Sequence, residues 1–262
     1  IETKLKNIPQ SADFPNGVGY ADYVLYDTNG KALAVIEAKR TCKDVDTGAK
    51  QAKIYANALK DIYGVMPVIF YTNGYQIYMV DGVGGPARRV FGYYSLHELH
   101  SLIVRRKLGP IEDTRVNKEI SDRYFIQNAC TKVCETYSNF RRKALSVMAT
   151  GTGKTRFAIS LVDILMRNNW VKNVLFLADR KELVGQAKKA FIKYLPNATI
   201  CAINEVSSNE REYDSNIILS TYPTMLNLID TDDKKFGIGR FDLIIIDECH
   251  RSCYNKYQAI FH

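Results

Sequence analysis

The run Gly151-Thr152-Gly153-Lys154-Thr155 stands between an apolar stretch, ALSVMA at 144–149, and a helical repeat of Phe157, Leu161, Ile164 and Leu165. A strand should end where the glycines permit a tight turn, and a helix should begin on the lysine. The glycines leave backbone N–H groups uncovered, and the helix N-terminus adds partial positive charge, so the turn suits an anion. On this reading Thr150, Gly151, Thr152 and Gly153 form the loop. Lys154 neutralises phosphate charge and the Thr155 hydroxyl holds Mg²⁺. The strict spacing of such loops wants glycine at position 148, where this chain has Met148.

The rest of the C-terminal half alternates apolar runs with helical patterns. NVLFLA (173–178), ATICAI (198–203), NIILSTY (216–222) and FDLIIID (241–247) read as strands, and Leu183, Ala187, Phe191 and Tyr194 share a helical face. Such alternation predicts α/β architecture, a parallel sheet covered by helices on both faces. Asp247 ends the last run, which puts its carboxylate at the carboxyl edge of the sheet, where ligands bind in such folds. There Asp247 can hold Mg²⁺ while Glu248 polarises an attacking water.

The N-terminal half has a different pattern. GYADYVLYDTNGKALAVIEAKR predicts two strands around Asn29-Gly30, Gly48 to Leu59 predicts a helix, and VMPVIFYTNGYQIYMVDG predicts a second strand pair around Asn73-Gly74. This is a small mixed α/β unit. Glycine, proline and charge interrupt the pattern in KLGPIEDTRVN (107–117), dividing a domain at 1–115 from one at 116–262.

The first hairpin carries a geometric argument. A two-residue turn with Asn29 and Gly30 at its centre sets Thr28 against Lys31 and Asp22 against Glu37. Lys39, two residues on, shares their face. Like charges placed so repel. A divalent cation between them reverses that effect, and Mg²⁺ binds through one or two carboxylates plus water and phosphate oxygens. Asp22, Glu37 and Lys39 thus read as a metal-dependent nuclease site. The same pattern arises by accident on exposed strands. Glu37, however, follows the apolar run ALAVI, the register converges all three side chains, and Gln51 and Tyr55 share a face of the next helix.

Composition narrows the alternatives. Hydrophobic residues make up 46% and charged residues 24% of the 262, the profile of a globular protein with a sizeable core. No apolar run approaches the length of a membrane span. The opening IETKLKNIPQ has neither an initiator methionine nor a signal-peptide core, and reads as a fragment or processed product. The cysteines (Cys42, Cys130, Cys134, Cys201, Cys249, Cys253) form no C-x-x-C pair, so reduced thiols in a cytoplasmic protein are expected. The net charge of +8 is spread over both halves, which is compatible with a polyanion such as DNA.

GTGKT and DECH together resemble motifs I and II of superfamily 2 helicases and translocases. LADRKELVGQA (177–187) stands in the place of motif Ia, and STYPTM (220–225) in that of the next DNA-contacting motif. Arg123, Tyr124 and Gln127 resemble the adenine-reading Q motif. Upstream, Asp22, Glu37, Ala38 and Lys39 with Gln51 and Tyr55 resemble PD-(D/E)xK nucleases of the Q-x-x-x-Y branch, which implies that Gln51 and Tyr55 contact the DNA backbone. In this order the two parts resemble the motor (R) subunit of a type I restriction enzyme.

The resemblance implies a restriction-endonuclease-like domain followed by a RecA-like lobe that stops after motif II. It further implies ATP and Mg²⁺ as cofactors, double-stranded DNA as substrate, and methyltransferase and specificity subunits as partners. The implied activity is that of a type I site-specific deoxyribonuclease that cuts DNA it has translocated. Type III enzymes carry the nuclease after the motor, and an RNA helicase leaves Asp22, Glu37 and Lys39 unexplained. The standing alternative is another superfamily 2 translocase whose nuclease unit is vestigial and only binds DNA. With the sequence ending at His262, the polypeptide by itself is expected to show little ATPase and no translocation.

Overall fold

The computed structural model describes residues 3–6, 8–10, 14, 16–39, 45–82, 85–203, 213–229, 235–248 and 260. Cys42, Cys249 and Cys253 lie outside them; Cys130, Cys134 and Cys201 are free thiols. The chain divides into two compact units at Lys107/Leu108.

The first unit begins with β1 (Thr3–Leu5), β2 (Gly19–Ala21), β3 (Tyr23–Tyr26), β4 (Ala32–Ala38) and α1 (Val45–Tyr63). It continues with β5 (Val68–Thr72), β6 (Ile77–Val80), β7 (Arg88–Val90) and α2 (Leu96–Arg105). The main sheet runs β3-β4-β5-β6-β7, antiparallel except for the parallel β4–β5 pair that α1 connects. Ala52, Tyr55, Ala56 and Leu59 recur at helical spacing on α1 and pack with Val35, Ile69 and Tyr71. β1 and β2 pair separately. Ser95 and Glu98 form a reciprocal capping box that fixes where α2 begins.

The hairpin between β3 and β4 reaches the expected register by a different route. Asp27, not Thr28, faces Lys31: the Asp27 amide donates to the Lys31 carbonyl at 2.9 Å, and the Gly30 amide to the Asp27 carbonyl at 3.1 Å. Asp27 Oδ1 accepts from the amides of Asn29 (2.8 Å) and Lys31 (2.7 Å). Only Gly30 takes a positive φ, 74°, so the connection is a three-residue loop closed by a left-handed glycine, not the expected two-residue turn. That displaces the pairing by one residue. A register shift between Leu25 and Tyr26 displaces it back, leaving Tyr23 opposite Ile36, Val24 opposite Val35 and Leu25 opposite Ala34. The two displacements cancel before Asp22 and Glu37.

The second unit contains α3 (Tyr124–Ser138), α4 (Lys154–Arg167), β8 (Val174–Ala178), α5 (Lys181–Tyr194) and β9 (Ile200–Ile203). β10 (Ile217–Thr221), α6 (Tyr222–Ile229) and β11 (Leu243–Ile246) follow. Its sheet is wholly parallel, in the order β11-β8-β10-β9. Alternate residues face two cores. Val174, Phe176, Ile217 and Leu219 pack with α3, α4 and α5, while Leu175, Leu177 and Ile218 pack with Tyr222, Met225 and Leu228 of α6.

Two expectations change here. Residues 144–149 form no strand and pair with none of the described strands, and Leu145 and Val147 are 76% and 88% exposed. A strand exists only as part of a ladder, so an apolar run without a pairing edge stays extended and solvated. The connector also belongs to the second unit from residue 108 onward, earlier than residue 116. It is stitched down there: Trp170 Nε1 donates to the Gly109 carbonyl (3.2 Å), Asn168 Nδ2 to the Asp113 carbonyl (3.0 Å), and the Ile111 amide to Ser138 Oγ (3.0 Å).

Among the described residues no helix is long and apolar enough to cross a membrane.

Candidate nuclease and nucleotide sites

The first unit brings Asp22, Glu37, Lys39, Gln51 and Tyr55 together at the end of β4. Asp22 Oδ2 accepts from the Ala38 amide at 2.7 Å, which locks the carboxylate across the hairpin. Lys39 leaves the strand with its own amide donating to the Thr72 carbonyl at 2.8 Å. Its ammonium donates to Glu37 Oε1 at 2.5 Å and to Gln51 Oε1 at 2.6 Å. Gln51 Nε2 then donates to the Tyr55 hydroxyl at 2.7 Å.

Glu37 is 2% exposed, and its Oε2 atom is buried without a hydrogen-bond partner. A polar atom buried so destabilises a fold by roughly 1–3 kcal/mol. Burial pushes the Glu37 carboxyl above the usual carboxylate range; the Lys39 hydrogen bond opposes that shift, and the Asp22 charge adds to it. A divalent cation answers both features, since it would ligate the orphaned oxygen and screen the two acids from each other. Among the described residues no group of three or more His, Cys, Asp or Glu converges. Two carboxylates completed by water and substrate oxygens suit Mg²⁺, which keeps much of its hydration.

In the second unit Gly151 (φ 75°) and Gly153 (φ 99°) take left-handed conformations ahead of α4. Glycine is the residue for such positions. Lys154 is the first residue of the helix, and its ammonium pairs with Glu248 Oε1. Asp247 extends β11 by donating its amide to the Leu177 carbonyl at 2.9 Å, and its Oδ1 accepts from the Glu248 amide at 3.0 Å. Glu248 has φ 52°, uncommon for a residue with a side chain. Burial raises the Asp247 carboxyl above its ordinary range, the Glu248 charge raises it further, and Lys154 opposes both. Thr155 and Asp247 line one cavity of about 450 Å³ together with Arg156, Lys189 and Lys193. Basic groups with a hydroxyl and a carboxylate fit a magnesium-bearing polyphosphate.

Gln127 lies differently from the expectation for a base-reading side chain. Its Oε1 accepts from the Val116 amide (2.7 Å), and its Nε2 donates to the Thr114 carbonyl (2.8 Å) and Thr131 Oγ1 (3.1 Å). The amide is fully engaged in holding the segment before α3. Arg123 is the residue of that group that reaches the glycine loop before α4, donating from Nη1 to the Thr152 carbonyl at 2.6 Å. Tyr222, inside the STYPTM run, reaches the second site as well: its hydroxyl donates to the Asp247 carbonyl at 3.2 Å. Its place directly after β10 puts it at the same sheet edge as Asp247.

Comparison with known proteins agrees with this division. Residues 119–262 match the family model described as "Type III restriction enzyme, res subunit", and residues 12–88 match "Type I restriction enzyme R protein N terminus". The EcoAI endonuclease subunit of a type I restriction enzyme from Escherichia coli is 32% identical, over 91% of this chain and 30% of that protein. The EcoKI endonuclease subunit from Escherichia coli strain K12 is 25% identical, over 93% of this chain and 25% of that protein. The chain thus spans less than a third of the length of these relatives. A solved fragment assigned to the HsdR subunit of a type I restriction enzyme from Vibrio vulnificus YJ016 covers 98% of this chain and 48% of its own. Its identity is 24% and its TM-score 0.41, too loose a likeness to add weight. With one family model over the second unit and another over most of the first, the chain belongs to the restriction-enzyme family, as an R-subunit chain of the type I kind.

Proposed function

We propose that this chain supplies the cutting site and half of the ATP site of an enzyme that moves along duplex DNA and cleaves it. The observation that carries the nuclease part is Glu37, a nearly buried carboxylate with one oxygen unpartnered, facing Asp22 across a hairpin and paired to Lys39. A unit that only bound DNA would have no use for two facing acids, one of them buried, because both repel the phosphate backbone. Asp22 and Glu37 would hold Mg²⁺, and the bound ion would supply Lewis acidity toward the scissile phosphate. Lys39 keeps a cation beside Glu37, where it can orient a water and offset negative charge as the phosphodiester is attacked.

In the motor lobe Lys154 would exchange Glu248 for the β- and γ-phosphates, Thr155 and Asp247 would hold the accompanying Mg²⁺, and Glu248, once released, would orient the hydrolytic water. Thr150, Gly151, Thr152 and Gly153 give the loop its backbone donors. Partners are expected to be methyltransferase and specificity subunits that read the DNA, with this chain contributing no sequence recognition.

The test uses the full-length protein in its assembled enzyme. Glu37→Ala should abolish cleavage and leave DNA-dependent ATP hydrolysis intact, whereas Lys154→Ala should abolish hydrolysis. Persistent Mg²⁺-dependent cutting by Glu37→Ala would remove the nuclease assignment and leave the motor assignment standing.

A further inference from the structure

Gln51 and Tyr55 occupy positions where the resemblance implies contact with DNA, yet their surroundings favour another task. Tyr55 is 1% exposed, with its ring edge-on to Phe14 at 5.7 Å between centroids. A Cβ built on Gly19 would fall 2.6 Å from Tyr55 Cε1, so the β2 backbone lies directly on the ring. The Tyr55 hydroxyl accepts from Gln51 Nε2 at 2.7 Å. A group enclosed in this way has no face to offer a phosphate.

Gln51 stands between that fixed hydroxyl and the Lys39 ammonium. Its Nε2 is engaged at 2.7 Å and its Oε1 at 2.6 Å. The Lys39 ammonium can only donate, so it takes the amide oxygen of Gln51, and the Nε2 end that remains is anchored on the Tyr55 hydroxyl. The start of α1 is placed to make this reach possible. At Gly48, one turn before Gln51, a Cβ would lie 3.3 Å from Lys39 Cγ and 3.8 Å from Glu37 Cγ. Helix and strand approach this closely because position 48 has no side chain.

We infer that Gln51 is a positioning residue that holds the Lys39 ammonium beside Glu37, with Tyr55 anchoring the Gln51 side chain, and that neither residue binds DNA. A lysine side chain is long and rotationally free. Glu37 alone leaves its ammonium free to pivot, and the second acceptor at Gln51 defines where it sits. The inference rests on the nuclease reading of Asp22, Glu37 and Lys39.

The experiment compares Gln51→Ala, Gln51→Glu, Tyr55→Phe and Lys39→Ala in the full-length chain of the assembled enzyme. Single-turnover cleavage of duplex DNA is measured in Mg²⁺, and DNA affinity with Mg²⁺ omitted. Gln51→Ala should slow cleavage by about tenfold to a hundredfold, the effect of slight misplacement of a reacting group, with affinity unchanged. Gln51→Glu should recover most of that loss, because a carboxylate accepts from both Lys39 and the Tyr55 hydroxyl. Tyr55→Phe should slow cleavage less than Gln51→Ala and leave affinity as it was. If Gln51→Glu instead weakens DNA binding, as an added negative charge would at a phosphate contact, the positioning role is overturned. Wild-type cleavage by Gln51→Ala, with Lys39→Ala inactive, overturns it too while sparing the nuclease reading. Wild-type cleavage by Lys39→Ala overturns both.

Discussion

Gly19→Ala tests how tightly the core of the first unit is set against Tyr55. The new Cβ would lie 2.6 Å from both Ile8 Cδ1 and Tyr55 Cε1 and 3.0 Å from Phe14 Cε1. Ile8 Cδ1 is the end of a flexible side chain and can swing away. The two rings cannot, because both are buried and packed edge-to-face. Ordinary contact begins near 3.4 Å, so the Tyr55 ring must retreat by about 0.8 Å (3.4 less 2.6). Overpacking of this kind destabilises by roughly 1–3 kcal/mol. Gly19 has no positive φ, so alanine also stiffens the unfolded chain and returns about 0.4–1 kcal/mol. The packing effect wins, and a net loss of about 1–2 kcal/mol should lower the melting midpoint of this unit by roughly 5–15 °C. The same retreat strains the 2.7 Å bond from Gln51 to Tyr55, so cleavage measured well below the melting midpoint should also slow. Differential scanning calorimetry and single-turnover cleavage on the full-length protein check both parts. An unchanged midpoint together with an unchanged rate would refute the packing argument.

Three further outcomes concern the second unit. Phe191→Ala removes a fully buried ring packed edge-on to Phe176 at 5.6 Å, and should destabilise the lobe by roughly 3–5 kcal/mol, read from the fluorescence of Trp170, the chain's one tryptophan. Gly153→Ala forces a side chain into φ 99° and should weaken nucleotide binding, measured with a fluorescent ATP analogue, more than Gly185→Ala, where a Cβ would meet nothing and φ is ordinary. Burial pushes the Cys130 thiol up to about 12 and Cys134 up to about 11, from 9.0. Both folded values are raised, so their contribution to stability is intact below pH 9 and fades as pH climbs through the folded values. Denaturation midpoints measured from pH 8 to 11 should therefore fall in wild type and fall less in Cys130→Ala.

The parts of this protein that follow from local chemistry were readable in its sequence. Apolar periodicity placed α1, α4, α5 and four parallel strands, and the spacing from Asp22 to Glu37 put the two acids on one face. That last success came through a route the residues did not disclose. Asp27 captures the turn with its own carboxylate, and a bulge at Leu25/Tyr26 restores the register. ALSVMA shows the opposite limit: an apolar run states a preference, and the ladder partner that converts it into a strand is a property of the whole sheet. Gln127 and Arg123 show a third. Which of two nearby polar side chains reaches the glycine loop before α4 depends on the path of residues 114–116, and no local pattern encodes that path. The close approach at Gly48 had a faint signal, a glycine just inside a helix beside two charged strand residues. The enclosure of Tyr55 had none.

The cutting site proposed for the first unit requires Asp22 and Glu37 to hold a metal ion. It is tested most directly by titrating the full-length protein with Mn²⁺ in the absence of nucleotide and counting bound ions by electron paramagnetic resonance. Glu37→Ala should bind one ion fewer than wild type, while Lys154→Ala matches wild type. If Glu37→Ala binds as many ions with the same affinity, the acid pair holds no metal and the proposed cutting site is contradicted.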